Sequence, residues 1–328
     1  MTGSTGFVGS ALCDALCSKG YEVFRAVRSV KELANSPSGA SIAVGDINAS
    51  TDWTKALTPS SANGNRPVDA VIHCAARAHV MNEGSQAEAA FRYRETNVNG
   101  TTSLARSAAA VGVKVFVFVS SIKVNGESTQ REEFFEADHP PMPEDGYGKS
   151  KWQAEKVLWD IAQGSNMGVT VVRPPLIYGP GVKGNLARLL TAVLNGIPLP
   201  LGSIDNRRSM IGLGNLVSFL IHCLDHPNAS EKTFLVSDPR ALSTREVVRL
   251  MAEGMNRPNR MVPVPVSVLR SLGQMLGKKN EVERLVGSLC IDDSFARAEL
   301  GWDPPHSAEQ GIREMAADFL RARKAKHD

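Results

Sequence analysis

The chain opens Met1-Thr2-Gly3-Ser4-Thr5-Gly6-Phe7-Val8-Gly9-Ser10, and this stretch runs directly into a segment with Val8, Leu12, Ala15 and Leu16 on one helical side and Gly20 as its stop. Glycines at positions 3, 6 and 9 permit a tight turn, bring backbone N–H groups close to a pyrophosphate, and let the helix pack tightly on a sheet. Gly3, Thr5, Gly6, Phe7, Val8 and Gly9 are therefore the first candidates for binding a dinucleotide. A buried strand normally precedes such a loop, and here only Met1 does. The expectation is that the natural protein begins several residues upstream, with an apolar strand.

Working outward, Tyr21 to Val27 reads as the next strand, closed by Arg28-Ser29. An acidic residue at this strand end would favour NAD, whereas an arginine accepts the extra phosphate of NADP. Arg28 thus points to NADP(H), with NAD(H) second. Ser41 to Val44 forms a short strand running into Gly45-Asp46-Ile47, expected near the adenine, and residues 58–67 read as a surface loop. Val68 to Cys74 is a buried strand whose end, Cys74-Ala75-Ala76, is small enough for a dinucleotide to lie over it. His73 within it reads as a core histidine, while His79 and Glu83 in the loop beyond either face substrate or are simply exposed.

A long helical stretch then carries Asn97-Val98-Asn99-Gly100-Thr101. Asn97 either kinks the helix and carries a water to Lys151 or serves as plain polar packing. The nearly unbroken valines and phenylalanines from Val113 to Val119 mark a fully buried parallel strand. It delivers Ser120 and Ser121 to the carboxyl end of the sheet, where open α/β sheets bind ligands. A further strand, Val169 to Val172, leads into Arg173-Pro174-Pro175-Leu176-Ile177-Tyr178-Gly179. Strands alternating with helices predict an α/β fold with a doubly wound parallel sheet of Rossmann type over residues 1–178. A smaller C-terminal α/β region for substrate is expected over 179–328.

Tyr147-Gly148-Lys149-Ser150-Lys151 carries the candidate chemistry. Tyr147 and Lys151 are one helical turn apart and share a face. A free tyrosine titrates at about pH 10, and a neighbouring ammonium would bring it towards the working range of a general acid or base. Ser121 would then hold the oxygen whose proton Tyr147 moves. The spacing alone also describes a solvated surface pair; its coincidence with the glycine loop and serine pair argues for a site.

Composition narrows the classes. The 328 residues hold 37 Lys and Arg against 34 Asp and Glu, for a net charge of +3, and the only dense basic stretch is terminal, Arg321 to Lys326. Nucleic acid is not an expected partner. Cys13, Cys17, Cys74, Cys223 and Cys290 are scattered without a Cys-x-x-Cys, as in reduced thiols. No metal-ligand cluster is evident. No apolar run is long enough to span a bilayer, and the start lacks a signal core, so a cytoplasmic protein with no membrane insertion is expected.

Taken together, the Thr2 to Gly9 loop, His73 to Ala76, Asn97 to Gly100, Ser120-Ser121, Tyr147 to Lys151 and Arg173 to Gly181 resemble the extended short-chain dehydrogenase/reductase family, in its nucleotide-sugar epimerase/dehydratase branch. The resemblance continues through Asn206-Arg207-Arg208-Ser209, Phe234 to Asp238 and Leu300 to Pro305. It implies that Tyr147 is the acid/base, that Lys151 lowers its pKa and binds the nicotinamide ribose, and that Ser121 partners the reacting oxygen. It also implies cofactor contacts from Ser120 and Pro174 and a UDP-sugar substrate met by His79, Lys123, Asn185, Leu186, Arg208 and Arg284. A homodimer through the helices around Asn97 and Trp152 is a further implication. Within the family, Ser120 to Glu127 is similar to bacterial enzymes of surface-polysaccharide clusters. These include reductases of UDP-4-keto-6-deoxy-N-acetylglucosamine and UDP-glucose 4-epimerases.

Asn125, Leu176, Gly212 and Gly214 depart from the epimerase pattern, as does Arg28. On that ground the expected activity is a 4-ketosugar reductase of polysaccharide precursor synthesis, with a UDP-glucose or UDP-N-acetylglucosamine 4-epimerase as the alternative. A non-catalytic dinucleotide-binding regulator is the third reading, opposed by the intact Ser121, Tyr147 and Lys151.

Overall fold

The structure, a computed structural model, describes residues 1–29, 39–61, 64–78, 85–130 and 132–325. Helix α1 (Phe7–Ser18) follows the glycine loop and buries Gly9, Leu12, Cys13 and Leu16. The chain then alternates through β1 (Phe24–Val27), β2 (Ala40–Ala43), β3 (Ala70–His73), α2 (Gln86–Tyr93), a π-helical turn (Arg94–Asn99) and α3 (Gly100–Val111). Next come β4 (Val115–Val119), α4 (Gly146–Gln163) and β5 (Gly168–Arg173). Residues 58–67, expected as a plain loop, include a short antiparallel pairing of Ser60–Ser61 with Gly64–Asn65.

Beyond residue 173 lie β6 (Leu176–Tyr178), α5 (Gly184–Leu194), β7 (Met210–Gly212), α6 (Leu213–Asp225) and β8 (Lys232–Leu235). Helices α7 (Thr244–Gly254), α8 (Val266–Met275), α9 (Lys279–Val286), α10 (Ser294–Leu300) and α11 (Ala308–Lys324) complete the chain. The main sheet is parallel throughout. β2 pairs with β1, and β3, β4, β5 and β8 pair in that order. Thr2 bridges the two sets, to Ala26 on one side and His73 on the other. The first residues thus stand at the centre of the sheet, with the glycine loop at its carboxyl edge.

Burial on both faces explains the apolar runs. Alternate residues of a strand point to opposite sides, so Val117 and Val119 pack with Leu12 and Leu16 of α1 and Phe219 and Leu220 of α6. Phe116 and Phe118 pack instead with Leu104 and Ala108 of α3 and Ala154 and Leu158 of α4. A third core gathers Tyr178, Leu186, Leu190, Leu250, Met251, Ile312 and Met315. The chain does not leave the sheet for good after Tyr178: β8 returns to its edge beside β5, and α6 covers one face. Tyr178 joins the layers, its hydroxyl donating to the Asp238 carboxylate at 2.6 Å, while the same carboxylate accepts from Gly212 N at 3.0 Å and Asn215 Nδ2 at 2.7 Å.

Candidate active site

The glycine loop leaves no room for side chains. Gly3 has φ +69°, and a Cβ there would lie 2.6 Å from Ala75 N. At Gly9 a Cβ would lie 2.0 Å from Gly3 O. Gly6 N donates to Gly3 O at 2.9 Å and closes the turn. Helix α1 has no side-chain cap at Gly6, and the N–H groups of a helix's first turn lack intrahelical acceptors. The Ser4 hydroxyl is buried with no hydrogen-bond partner. Gly3 is thereby set against Cys74 and Ala75, and Gly6 and Gly9 close in on Gly3 itself. The cradle, the uncapped helix start and the orphaned hydroxyl all fit the pyrophosphate of a dinucleotide.

At the ends of β1 and β2 the structure adds a charge that the strand pattern did not reveal. Arg28 Nε meets Asp46 Oδ1 at 2.7 Å, both side chains being exposed. The arginine that pointed to NADP(H) is therefore matched by a carboxylate at the same place. Ile47 lies against the start of α3, where a Cβ on Gly100 would come within 2.4 Å of Ile47 Cγ2.

Helix α4 begins at Asp145, whose Oδ1 accepts from Gly148 N at 2.7 Å. Tyr147 is in its first turn and Lys151 one turn later. Lys151 is buried with its Nζ 3.9 Å from the centroid of the Phe118 ring, a cation–π arrangement. Burial brings its ammonium down to about 7, against the opposing pull of Glu155 and Cys74. Tyr147 packs near Tyr93, ring centroids 6.3 Å apart. Its phenol is pushed up by burial first, then by Asp145 and Tyr93. Both groups are desolvated, and desolvation favours the neutral form of each.

The serine pair is divided. Ser120 is buried and its hydroxyl donates to the Glu155 carboxylate. Ser121 is half-buried and caps the turn Ile122–Val124, its Oγ accepting from Lys123 N at 3.3 Å. Pro174 is brought alongside by a bond from Ile122 N to Pro174 O at 3.0 Å. Behind Ser120 lies a buried network that sequence reasoning missed. Arg173 donates to both Glu155 oxygens and, through Nη1, to Asn125 Oδ1 at 2.9 Å. The signal was present in the spacing, since Glu155 follows Lys151 by four, as Lys151 follows Tyr147.

Asn97 sits in the π-helical turn, where the helix is irregular. Its amide bonds both α4 and the loop after β3. Nδ2 donates to Ser150 Oγ at 2.9 Å and Arg77 O at 3.0 Å, and Oδ1 accepts from Arg77 N at 2.7 Å. These bonds tie the loop after β3 to α4. His73 is the core histidine it resembled, fully buried and bonded to the hydroxyls of Thr2 at 2.6 Å and Thr101 at 2.9 Å.

On the substrate side Lys123 pairs with Glu127 at 2.9 Å and with Asp145. Glu127 reaches Arg284 Nη2 at 3.3 Å. Arg208 Nη1 donates to Arg284 O and Gly287 O, each at 3.0 Å. Lys123, Arg208 and Arg284 are therefore linked in one cluster. Asn185 is exposed in the first turn of α5, while the Leu186 side chain is buried in the C-terminal core, so only its backbone could meet a ligand. His79 lies outside the described residues.

A model of the NAD dependent epimerase/dehydratase family matches residues 1–237. The chain belongs to this family. Across 323 residues it is 44% identical to a UDP-glucose 4-epimerase of Vibrio cholerae, covering 98% of this chain and 95% of that one. It is 29% identical over 246 residues to N-acetyl-alpha-D-glucosaminyl-diphospho-ditrans,octacis-undecaprenol 4-epimerase of Escherichia coli O157:H7, covering 71% and 73% of the two chains. The fold superposes on a UDP-glucuronic acid 4-epimerase of Bacillus cereus in complex with NAD, with TM-score 0.75, 18% identity and 98% of each chain covered.

Membership makes this chain an enzyme of the epimerase/dehydratase type on a Rossmann sheet. The likeness in sequence favours the 4-epimerase alternative over the 4-ketosugar reductase expected first. The family is NAD dependent, and a preference for NADP(H) gains no support, in keeping with the carboxylate of Asp46 facing Arg28. Among the described residues no helix is long and apolar enough to cross a membrane, and no cluster of His, Cys, Asp or Glu could hold a metal ion.

Proposed function

We propose that this chain is an NAD-dependent 4-epimerase of a UDP-linked hexose. The observation that carries the reading is the 44% identity, over 98% of the chain, with a UDP-glucose 4-epimerase. The pyrophosphate would be held by Gly3 to Gly9, and the adenosine end by Arg28, Asp46 and Ile47. Asp46 favours NAD because its carboxylate repels a further phosphate and accepts from a ribose hydroxyl. When bound, the dinucleotide supplies the acceptor and donor of hydride at C4.

The chain's own groups do the rest. Ser121 would hold the C4 oxygen; Tyr147 would act as the phenolate, its own proton having passed to solvent under the positive charge of Lys151 and of bound NAD+, and so take the C4 hydroxyl proton and return it on the way back. Lys151, buried and poised near 7, stands one turn away to bind the nicotinamide ribose and set the charge around the phenol. Lys123, Arg208 and Arg284 would supply the cations for the diphosphate, Arg284 exchanging Glu127 for it, a reading supported by their linkage in one cluster. Asn125, a departure that argued against an epimerase, has a structural use in the Arg173 network.

The test is to incubate the purified chain with UDP-glucose and UDP-N-acetylglucosamine, with NAD+ or NADP+, and to resolve the C4 epimers by NMR. Conversion without net formation of reduced cofactor supports the epimerase. Consumption of NADPH with a 4-ketosugar, and no epimerisation, would return the assignment to the reductase.

A further inference from the structure

Helix α8 is apolar on two sides. Val266 and Leu269 pack into the C-terminal core, and Gly273 is buried against α9, where a Cβ would lie 2.6 Å from Val282 Cγ2. The opposite face carries Val268, Leu272, Met275 and the following Leu276, spaced as one helical stripe and all exposed, Met275 at 82% and Leu276 at 70%. Val262, just before the helix, is exposed as well. Isolated surface leucines need no explanation, but a contiguous stripe of this kind does.

The surrounding charge is predominantly basic. Residues 256–280 contain Arg257, Arg260, Arg270, Lys278 and Lys279 and no acidic residue, and Glu281 and Glu283 of α9 follow, in a chain whose charges otherwise nearly balance. Arg270 is answered by Glu283 of α9. Lys278 and Lys279, directly after the apolar stripe, are exposed and enter no ion pair among the described residues. A second copy of the chain on this face would set like charges together. A surface that is apolar below and anionic above satisfies both features at once.

We propose that the exposed face of α8, with Lys278 and Lys279, docks the protein on an anionic lipid bilayer, the apolar stripe entering the interface and the lysines meeting the headgroups. Docking is peripheral and leaves the fold unchanged. The inference rests on α8 and its charges and is independent of which sugar is turned over.

The experiment is co-sedimentation of the full chain with vesicles of phosphatidylcholine, with and without phosphatidylglycerol, at low and high salt. Two variants accompany it, Met275→Asp with Leu276→Asp, and Lys278→Glu with Lys279→Glu. These side chains are exposed, so thermal melting should match the parent, and epimerase activity on soluble UDP-sugar should be kept. The expected result is binding that needs phosphatidylglycerol, weakens with salt, and falls about tenfold or more in each variant. Equal binding by the variants, or no binding to the anionic vesicles, would overturn the proposal. So would concentration-dependent self-association that Met275→Asp with Leu276→Asp abolishes while vesicle binding is absent, which would give the face to a second copy.

Discussion

Glu155 and Arg173 meet as two parallel forks, Arg173 Nε to Glu155 Oε1 at 3.0 Å and Nη2 to Oε2 at 2.6 Å, with both side chains almost wholly buried. The pair lies between Ser120, which donates to the same carboxylate, and Lys151, one turn back on α4. It therefore fixes the end of β4 against the helix that carries Tyr147.

Removing one partner leaves the other charged and unpaired in the core. Arg173→Met is expected to cost about 3–5 kcal/mol of stability, whereas Arg173→Met combined with Glu155→Leu should recover much of that loss. Urea denaturation of the three proteins decides it, and a single substitution costing almost nothing would show the pair to be dispensable.

Tyr147→Phe keeps the ring and removes the proton. Turnover is expected to fall by about a hundredfold or more, with an unchanged urea midpoint. Near-normal activity in this variant would remove Tyr147 from the chemistry.

Lys151 titrates at about 7 in the folded chain against 10.5 for the free side chain. Between these values the unfolded state binds more protons, so this group adds stability as pH rises from about 7 towards 10.5 and its penalty is full below 7. The stability of the parent relative to Lys151→Met should accordingly climb across that window. A flat difference would mean that the ammonium is not desolvated.

Gly9→Ala sets a methyl group on the carbonyl of Gly3, 2.0 Å away. The loop must shift, and the rise in melting temperature produced by NAD+ in the parent is expected to be lost or much reduced. A full NAD+ shift in the variant would show that the cradle is not where the pyrophosphate binds.

Asp46→Asn removes the carboxylate that faces Arg28. Affinity for NADP+ relative to NAD+ is expected to rise about fivefold, the scale of an exposed charge interaction. Titration calorimetry with both cofactors measures it, and an unchanged ratio would separate Asp46 from cofactor choice.

Much of this arrangement is local in origin. The glycines at 3, 6 and 9, the unbroken run from Val113 to Val119 and the four-residue step from Tyr147 to Lys151 act through backbone conformation, hydrophobic period and helical pitch, all of which are set by near neighbours in the chain. Those features determine the parallel sheet, the cradle at its edge and the shared face of Tyr147 and Lys151. Other properties arise only when distant segments meet. Ser120 turns inward because Glu155 lies across from it, Arg28 finds Asp46 because β1 and β2 pair, and Asn97 is spent on Arg77 and Ser150. The low pKa of Lys151 and the high one of Tyr147 belong to the same class. Desolvation depends on everything packed around a charge, and that is decided by the tertiary structure alone.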